Sequence, residues 1–323
     1  MTKRILCIIV IGCCLAFGAL AGQAEDKGYP NRQIDFVIPY DPGGSVDIQS
    51  RVYIEAIKSI LKVTVVPVNK PGAGGSIGLA NIANAKPDGY TIGAGSFGAM
   101  VISPIVEPKL PYKRSELTLI AKTVNFPIGI FVKPDAPWKT LKEFADYAKA
   151  NPGKIRAAVG GPTGAPALML EAFKIAAGGL DIINIPSKGG ASMATAILGG
   201  HVEICSDPVA SEINLLKAGR VRALAISDKF AGLPQLPTFD EAGFPGVNIS
   251  SWVAVVAPKG LPKQIQDKLA AAFEQAAKNP ALIEQLHREA MNADFMGPEA
   301  FAKRLATEDA TVLAIAKKVG MIK

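Results

Sequence analysis

The sequence predicts an α/β protein of two lobes with a ligand cleft between them, and three observations carry that expectation. Strand-length apolar runs alternate with helix-length segments, as βαβ units on a parallel sheet do. Two Gly-rich loops, Pro42-Gly43-Gly44-Ser45 and Asn69-Lys70-Pro71-Gly72-Ala73-Gly74-Gly75-Ser76, each stand where a strand gives way to a helix. The alternation is a doublet: two series, each with three loops at strand ends, are followed by a helical tail. Ligands of such sheets bind outside the carboxyl ends of the strands, and clefts between domains favour small solutes.

Taken in order, residues 33–39 read as a buried strand and 45–61 as a helix. A β-branched strand at 63–68 is followed by a helix over 76–85 and, after the Pro87-Asp88-Gly89 turn, a strand over 90–94. An apolar strand at 126–132 precedes a helix start at Trp138-Lys139-Thr140-Leu141-Lys142-Glu143. The second series runs through a strand at 155–159, a loop at 160–166, a helix to 175, a strand at 182–185 and a helix over 191–198. Strands at 201–205, ending at Ser206-Asp207, and at 221–226 close it. After an irregular Pro/Gly-rich stretch, a strand at 252–257 leads into helices over 262–278, 281–291 and 298–319. These segments predict a first lobe of residues 25–126 plus 251–323, and a second of 127–250.

The ends and composition bound the biology. Lys3-Arg4, the apolar run over 5–20 and Gly22-Gln23-Ala24 read as an export signal, residues 1–24, cleaved near Ala24. Val10-Ile11-Gly12-Cys13 also resembles a lipobox, but soluble export to the periplasm is the preferred reading. Loss of Lys3 and Arg4 takes the formal charge from +7 to +5. About 300 residues remain, room for two ordinary domains. Basic residues are scattered, so nucleic acid is not an expected partner, and a mild positive excess suits small anions. Cys205 alone remains after cleavage, so an internal disulfide is excluded. With two histidines in the chain, metal-ligand spacings are missing, and no cofactor or metal is expected.

The Pro42-Gly43-Gly44-Ser45 turn is nearly free of side chains at a helix N-terminus. Backbone N–H groups there can hold a carboxylate or phosphate without a cationic side chain. The plainer reading is a tight turn with Ser45 as helix cap. Asp47 suits the helix dipole and pairs with Arg51 four residues on. Gly72, Gly74 and Gly78 miss dinucleotide spacing by one residue. Gly74-Gly75-Ser76-Ile77-Gly78 matches G-x-S-x-G, with Asp207 and His287 following in order, so a secreted serine esterase using Ser76 is the alternative. Against it, a loop separates Ser76 from its strand, and His287 lies in a helical pattern.

Together with Tyr29-Pro30, Asp88-Gly89-Tyr90-Thr91, Lys188-Gly189-Gly190, Leu236-Pro237-Thr238, Glu241-Ala242-Gly243 and Trp252, these motifs resemble the solute receptors of tripartite tricarboxylate transporters, the Bordetella uptake gene family. The resemblance runs from Tyr29 to about Gly320. It implies a two-lobed periplasmic-binding-protein (type II-like) fold, a monomer that closes on a small organic carboxylate and delivers it to membrane permease subunits, without catalysis. By position it implies contacts from Pro42, Gly43, Gly44, Ser45 and Asp47, from Ala73, Gly74 and Gly75, and from Ser96. In the second lobe it implies Gly161, Thr163, Gly164 and Ala165, Lys188 and Gly189, and Asp207. Ser187 stands where the family commonly has tyrosine, and Ala165 where a serine is frequent, so the solute's identity stays open.

Overall fold

The computed structural model describes residues 28–160, 164–187, 190–247 and 249–322. The expected export signal, and Gly161, Thr163, Lys188 and Gly189 among the expected site residues, lie outside them.

The strands form two sheets. The first holds β1 (Ile34–Ile38), β2 (Val65–Asn69), β3 (Thr91–Ser96), β4 (Leu117–Phe126), β10 (Ser251–Pro258) and β11 (Asn292–Met296) in the order β11-β4-β10-β3-β1-β2. The second holds β5 (Ile128–Val132), β6 (Ile155–Gly160), β7 (Ile182–Ser187), β8 (Ile204–Pro208) and β9 (Arg222–Ile226) in the order β7-β6-β8-β5-β9. In the first lobe α1 (Ser45–Leu61), α2 (Ser76–Ala83), α3 (Ser103–Val106), α8 (Lys263–Ala277) and α9 (Pro280–Arg288) surround the sheet. In the second, α4 (Leu141–Ala150), α5 (Ala165–Ala176), α6 (Gly190–Leu198) and α7 (Val209–Lys217) do so, and α10 (Pro298–Lys318) closes the chain.

Strand β1 shows why the run Ile-Asp-Phe-Val-Ile folds this way. Ile34, Phe36 and Ile38 join one core with Tyr53 and Ile57 of α1 and Phe273 of α8, while Val37 joins another with Leu79 and Ile82 of α2. Alternate side chains thus bury against opposite layers, which a continuous apolar strand between helices requires. The helix start at 138–143 becomes α4: Thr140 accepts from the Glu143 N–H at 3.1 Å, and Glu143 accepts from the Lys139 N–H at 2.7 Å. Such caps add about 1 kcal/mol.

Three segments differ from the sequence expectation, the first being the long strand β4, for which the sequence predicts no strand over 117–125. The run at 126–132 is a junction: β4 ends at Phe126 and β5 starts at Ile128, with Pro127 unable to donate a ladder bond between them. The chain over 292–296, expected only to join helices, is the edge strand β11, antiparallel to β4. Lys122 of β4, 0 % exposed, is ion-paired there with Asp294 of β11.

Strand register fixes which edges meet. β1, β2 and β3 run parallel, and antiparallel β10 places Val253 opposite Ser96 at the carboxyl end of β3. Phe126 lies opposite Ser251, so β4 also ends on that edge. In the second sheet Ile128 lies opposite Pro208, at the carboxyl end of β8, which runs parallel to β6 and, through it, to β7. The link through Pro127 therefore joins the edge at the carboxyl end of β3 in the first sheet to the edge at the carboxyl ends of β6, β7 and β8 in the second. Val209 N–H donates to Pro127 O at 2.8 Å, and Ile128 N–H to the Ser227 hydroxyl at 3.0 Å, which fixes this junction.

Helix α10 packs on β4 and also on α5 of the second lobe, with Phe301, Leu305, Val312 and Ile315 in one core with Trp252 and Ile130. A cavity of about 300 Å³ lined by Phe97, Asp228, Ile249, Arg304 and Glu308 lies beside this helix. No helix among the described residues is long and apolar enough to cross a membrane.

Candidate functional site

The first-lobe half is built by the loops after β1 and β2 and by the end of β3. Gly43 turns the chain with φ 83°, and Gly44 (φ −76°, ψ 163°) stands at the N-cap without a side-chain hydrogen bond to the helix. The first intrahelical bond runs from Ile48 N–H to Gly44 O at 2.9 Å. The N–H groups of Ser45, Val46 and Asp47 are therefore beyond the reach of the helix's own carbonyls. Pro42, Gly43, Gly44 and Ser45 are all exposed, so this positive helix end opens to solvent.

The second loop winds in the left-handed sense through Gly72 (φ 125°), Ala73 (φ 47°), Gly74 (φ 63°) and Gly75 (φ 101°). Ala73 is the only one with a Cβ, which costs about 1 kcal/mol in this region, and such strain concentrates at ligand sites. Tyr40 binds the two loops together: its hydroxyl donates to Gly74 O at 2.9 Å and lies 2.5 Å from the Ser96 hydroxyl. Burial raises the Tyr40 pKa, with the Ser96 bond acting against it. A Cβ on Gly75 would meet the Tyr40 hydroxyl at 2.8 Å, which is why the loop carries glycine there.

Asp47 braces rather than faces the opening. It is 3 % exposed, and its carboxylate accepts from Gly43 N–H (2.9 Å), Arg51 Nε (2.9 Å) and Asn69 Nδ2 (2.9 Å). Asn69 also donates to Tyr40 O at 3.0 Å and accepts from Arg51 at 3.0 Å. Burial disfavours the Asp47 charge, but these bonds outweigh it and bring the pKa down to about 2. The structure thus brings Pro42, Gly43, Gly44, Ser45, Asp47, Ala73, Gly74, Gly75 and Ser96 to one edge. Tyr40 and Asn69, neither of them among the expected site residues although Asn69 opens the second Gly-rich motif, hold them there.

In the second lobe β6, β7 and β8 present their carboxyl ends together. Gly164 caps α5 at its N-terminus with φ −80° and ψ 153° and no side-chain bond, and Ala165 is the buried first residue of that helix. The Ser206 hydroxyl donates to Pro166 O at 2.8 Å, tying β8 to α5. Asp207 is 3 % exposed and interacts with Ser211, yet its Oδ2 has no hydrogen-bond partner. Burial first, then the charge of nearby Glu212, lifts Asp207 to about 7 against the pull of Ser211. Burial lifts Glu212 to about 7 as well.

The esterase constellation does not assemble among the described residues. Ser76 is 1 % exposed, and Asp207 lies in the other sheet. His287 is on α9 with its ring edge-on to Phe230, centroids 6.0 Å apart. Nor does any group of three His, Cys, Asp or Glu suited to a metal ion occur among the described residues.

This architecture has close parallels. A Cupriavidus necator protein, "UPF0065 protein in gbd 5'region", is 34% identical over 319 residues, 96% of this chain and 94% of its own. BugT of Bordetella pertussis is 31% identical over 281 residues, 86% of each chain. Among solved structures, a TctC solute binding protein from Polaromonas superposes with a TM-score of 0.80 at 29% identity, covering 90% of this chain and 100% of that one. A Rhodopseudomonas palustris protein with adipate gives 0.77 at 26%, covering 91% and 99%. MatC of the same species, with bound malate, gives 0.72 at 25%, covering 89% and 99%. The description "Tripartite tricarboxylate transporter family receptor" matches residues 49–321, and with the two-lobed fold and these relatives the chain belongs to that receptor family.

Proposed function

We propose that this protein is a periplasmic solute receptor that binds a small organic carboxylate in the interlobe cleft. It hands the carboxylate to the membrane permease subunits of a tripartite tricarboxylate transporter, acting as a monomer and without catalysis. The observation that carries the reading is the exposed N-terminus of α1: Gly43 and Gly44 leave its first-turn N–H groups open beside the left-handed loop 72–75. A carboxylate accepting those bonds gains charge-assisted hydrogen bonds and the favourable end of the helix dipole. The bound malate and adipate of two similar structures support the carboxylate class. The buried, unassembled Ser76 supports binding over ester hydrolysis.

The test is a thermal-shift screen of the mature protein against mono-, di- and tricarboxylates, aromatic acids and amino acids, followed by calorimetry on the hits. Gly44→Val is the matched control. A Cβ there meets nothing nearer than Asp41 O at 3.5 Å, and φ −76° suits any residue, so the fold tolerates it. Its bulk would occupy the anion's position, and affinity should fall by at least about a hundredfold, roughly 2.7 kcal/mol. Equal affinity in the variant would sink the assignment.

A further inference from the structure

The strand-end edge of the second lobe carries two carboxylates: Asp207, which the family resemblance already implies as a contact, and Glu212, which it does not. β8 ends at Asp207-Pro208 and α7 begins with Val209, so Asp207 and Glu212 stand at one strand-to-helix junction. Side chains alternate along β8. Ile204 joins the core shared with α5, and Ser206 bonds to Pro166 on that side; Cys205 joins the cluster with Met193 of α6 and Val209 and Ile213 of α7. Asp207 therefore points to the same side as Cys205, toward Glu212 on α7.

Glu212 is 0 % exposed, and neither of its oxygens has a hydrogen-bond partner; Oδ2 of Asp207 has none either. Buried carboxylates are strongly disfavoured without donors, and two side by side more so. The surroundings hold apolar Val209 and Ile213, and no third metal-type ligand completes a cation cage among the described residues. Among the described residues, what these oxygens lack is a compact group rich in N–H donors and positive charge. The same acids, lifted toward neutrality by burial, would regain their charge when such a group arrives.

We infer that Asp207 and Glu212 form the cation-binding end of the cleft, so that the solute is a zwitterion with its carboxylate on the first-lobe loops and an ammonium on these acids. This rests on the receptor reading above and narrows its substrate class. Glu212 becomes a specificity-determining residue, selecting an amino-carboxylate over a plain dicarboxylate.

The experiment is isothermal titration calorimetry on the mature chain with matched pairs. These are 4-aminobutyrate against glutarate, 5-aminovalerate against adipate and 6-aminocaproate against pimelate, with alanine, aspartate and glutamate as α-amino acids. An amino-carboxylate should bind at least about tenfold tighter than its dicarboxylate match, and Glu212→Gln should cut that affinity by about tenfold to a hundredfold. Asp207→Asn is the second variant, and circular dichroism verifies that both fold. If dicarboxylates bind, lose binding with Gly44→Val and outcompete every amino acid, the receptor reading stands and this inference falls. If Glu212→Gln changes no affinity while Lys188→Met does, the acids serve the chain's own lysine and the inference also falls. Binding of no member of either series overturns both readings.

Discussion

Replacing Asp47 by Asn tests whether the anion loops are held by a buried charge. The carboxylate joins Gly43, Arg51 and Asn69 and has its pKa brought down to about 2, against an ordinary 3.8. At about 1.36 kcal/mol per pH unit, the charged form contributes about 2 kcal/mol of stability at neutral pH. Arg51 is 45 % exposed, so solvent screening trims its share and about 1.5–2 kcal/mol is the expected loss. The sign follows from the depressed pKa: the contribution is present above about pH 4 and disappears as pH falls toward 2. Unfolding entropy of about 2.1 cal/mol/K per residue over some 300 residues converts the loss to a Tm drop of about 3 °C. Urea titrations of wild type and Asp47→Asn at pH 7, 4 and 2.5 would measure it. A difference that is absent at pH 7, or as large at pH 2.5, would refute the reasoning. Ligand affinity should also weaken by about tenfold, because loops that must reorder on binding lose pre-organisation.

Two further outcomes follow from buried charges. Asp294→Asn leaves the wholly buried Lys122 ammonium without its counter-ion and should destabilise the first lobe by about 3–5 kcal/mol in denaturant unfolding, whereas Lys122→Met with Asp294→Leu should be near neutral. A double variant as damaging as the single one would refute the pairing argument. Asp207 and Glu212, both raised to about 7, hold protons in the folded state that the unfolded chain has released. Ligand-free stability should therefore decline as pH rises from about 4 through 7, and the Asp207→Asn, Glu212→Gln double variant should lose that part of the slope. Chemical denaturation across that range checks it, and an unchanged slope counts against the burial argument.

The elements legible in the sequence were those whose pattern depends on one neighbouring layer. β1 reads as a strand because Ile34, Phe36, Val37 and Ile38 are all apolar, and α1 follows Gly43-Gly44 because a side-chain-free turn leads into it. β4 and β11 were not legible. Their pairing buries Lys122 against Asp294 across 172 positions, and either residue alone argues against a buried strand. The same limit applies at the site. The glycines of both loops stand out locally, whereas the roles of Tyr40, Asn69 and Glu212 arise only from contacts that folding creates. Asp47 was visible as a partner of Arg51 four residues on, but its bonds to Asn69 and Gly43 turn an ordinary helix pair into a brace.

The two halves of the cleft differ in where their binding energy is stored. The first-lobe loops are cross-linked before any ligand arrives: Tyr40, Asn69, Arg51 and Asp47 join both Gly-rich turns, and every polar atom of the Asp47 carboxylate already has a donor. An anion landing there meets donors that need no reorganisation, which suits a site recognising a group common to many solutes. The second-lobe acids are the reverse, buried with oxygens unsatisfied and with pKa values that burial lifts to about 7. A site of that kind is destabilising when empty and is relieved only by a ligand that brings the missing donors. Differential affinity of that sort is what a ligand needs to shift the protein from an open to a closed form. Because the Pro127 link joins both edges directly, closure about it would bring the pre-braced half and the unsatisfied half onto opposite ends of one solute. On the proposed reading, discrimination falls to the second lobe, whose unsatisfied oxygens would disfavour any solute that closes the cleft without supplying N–H groups.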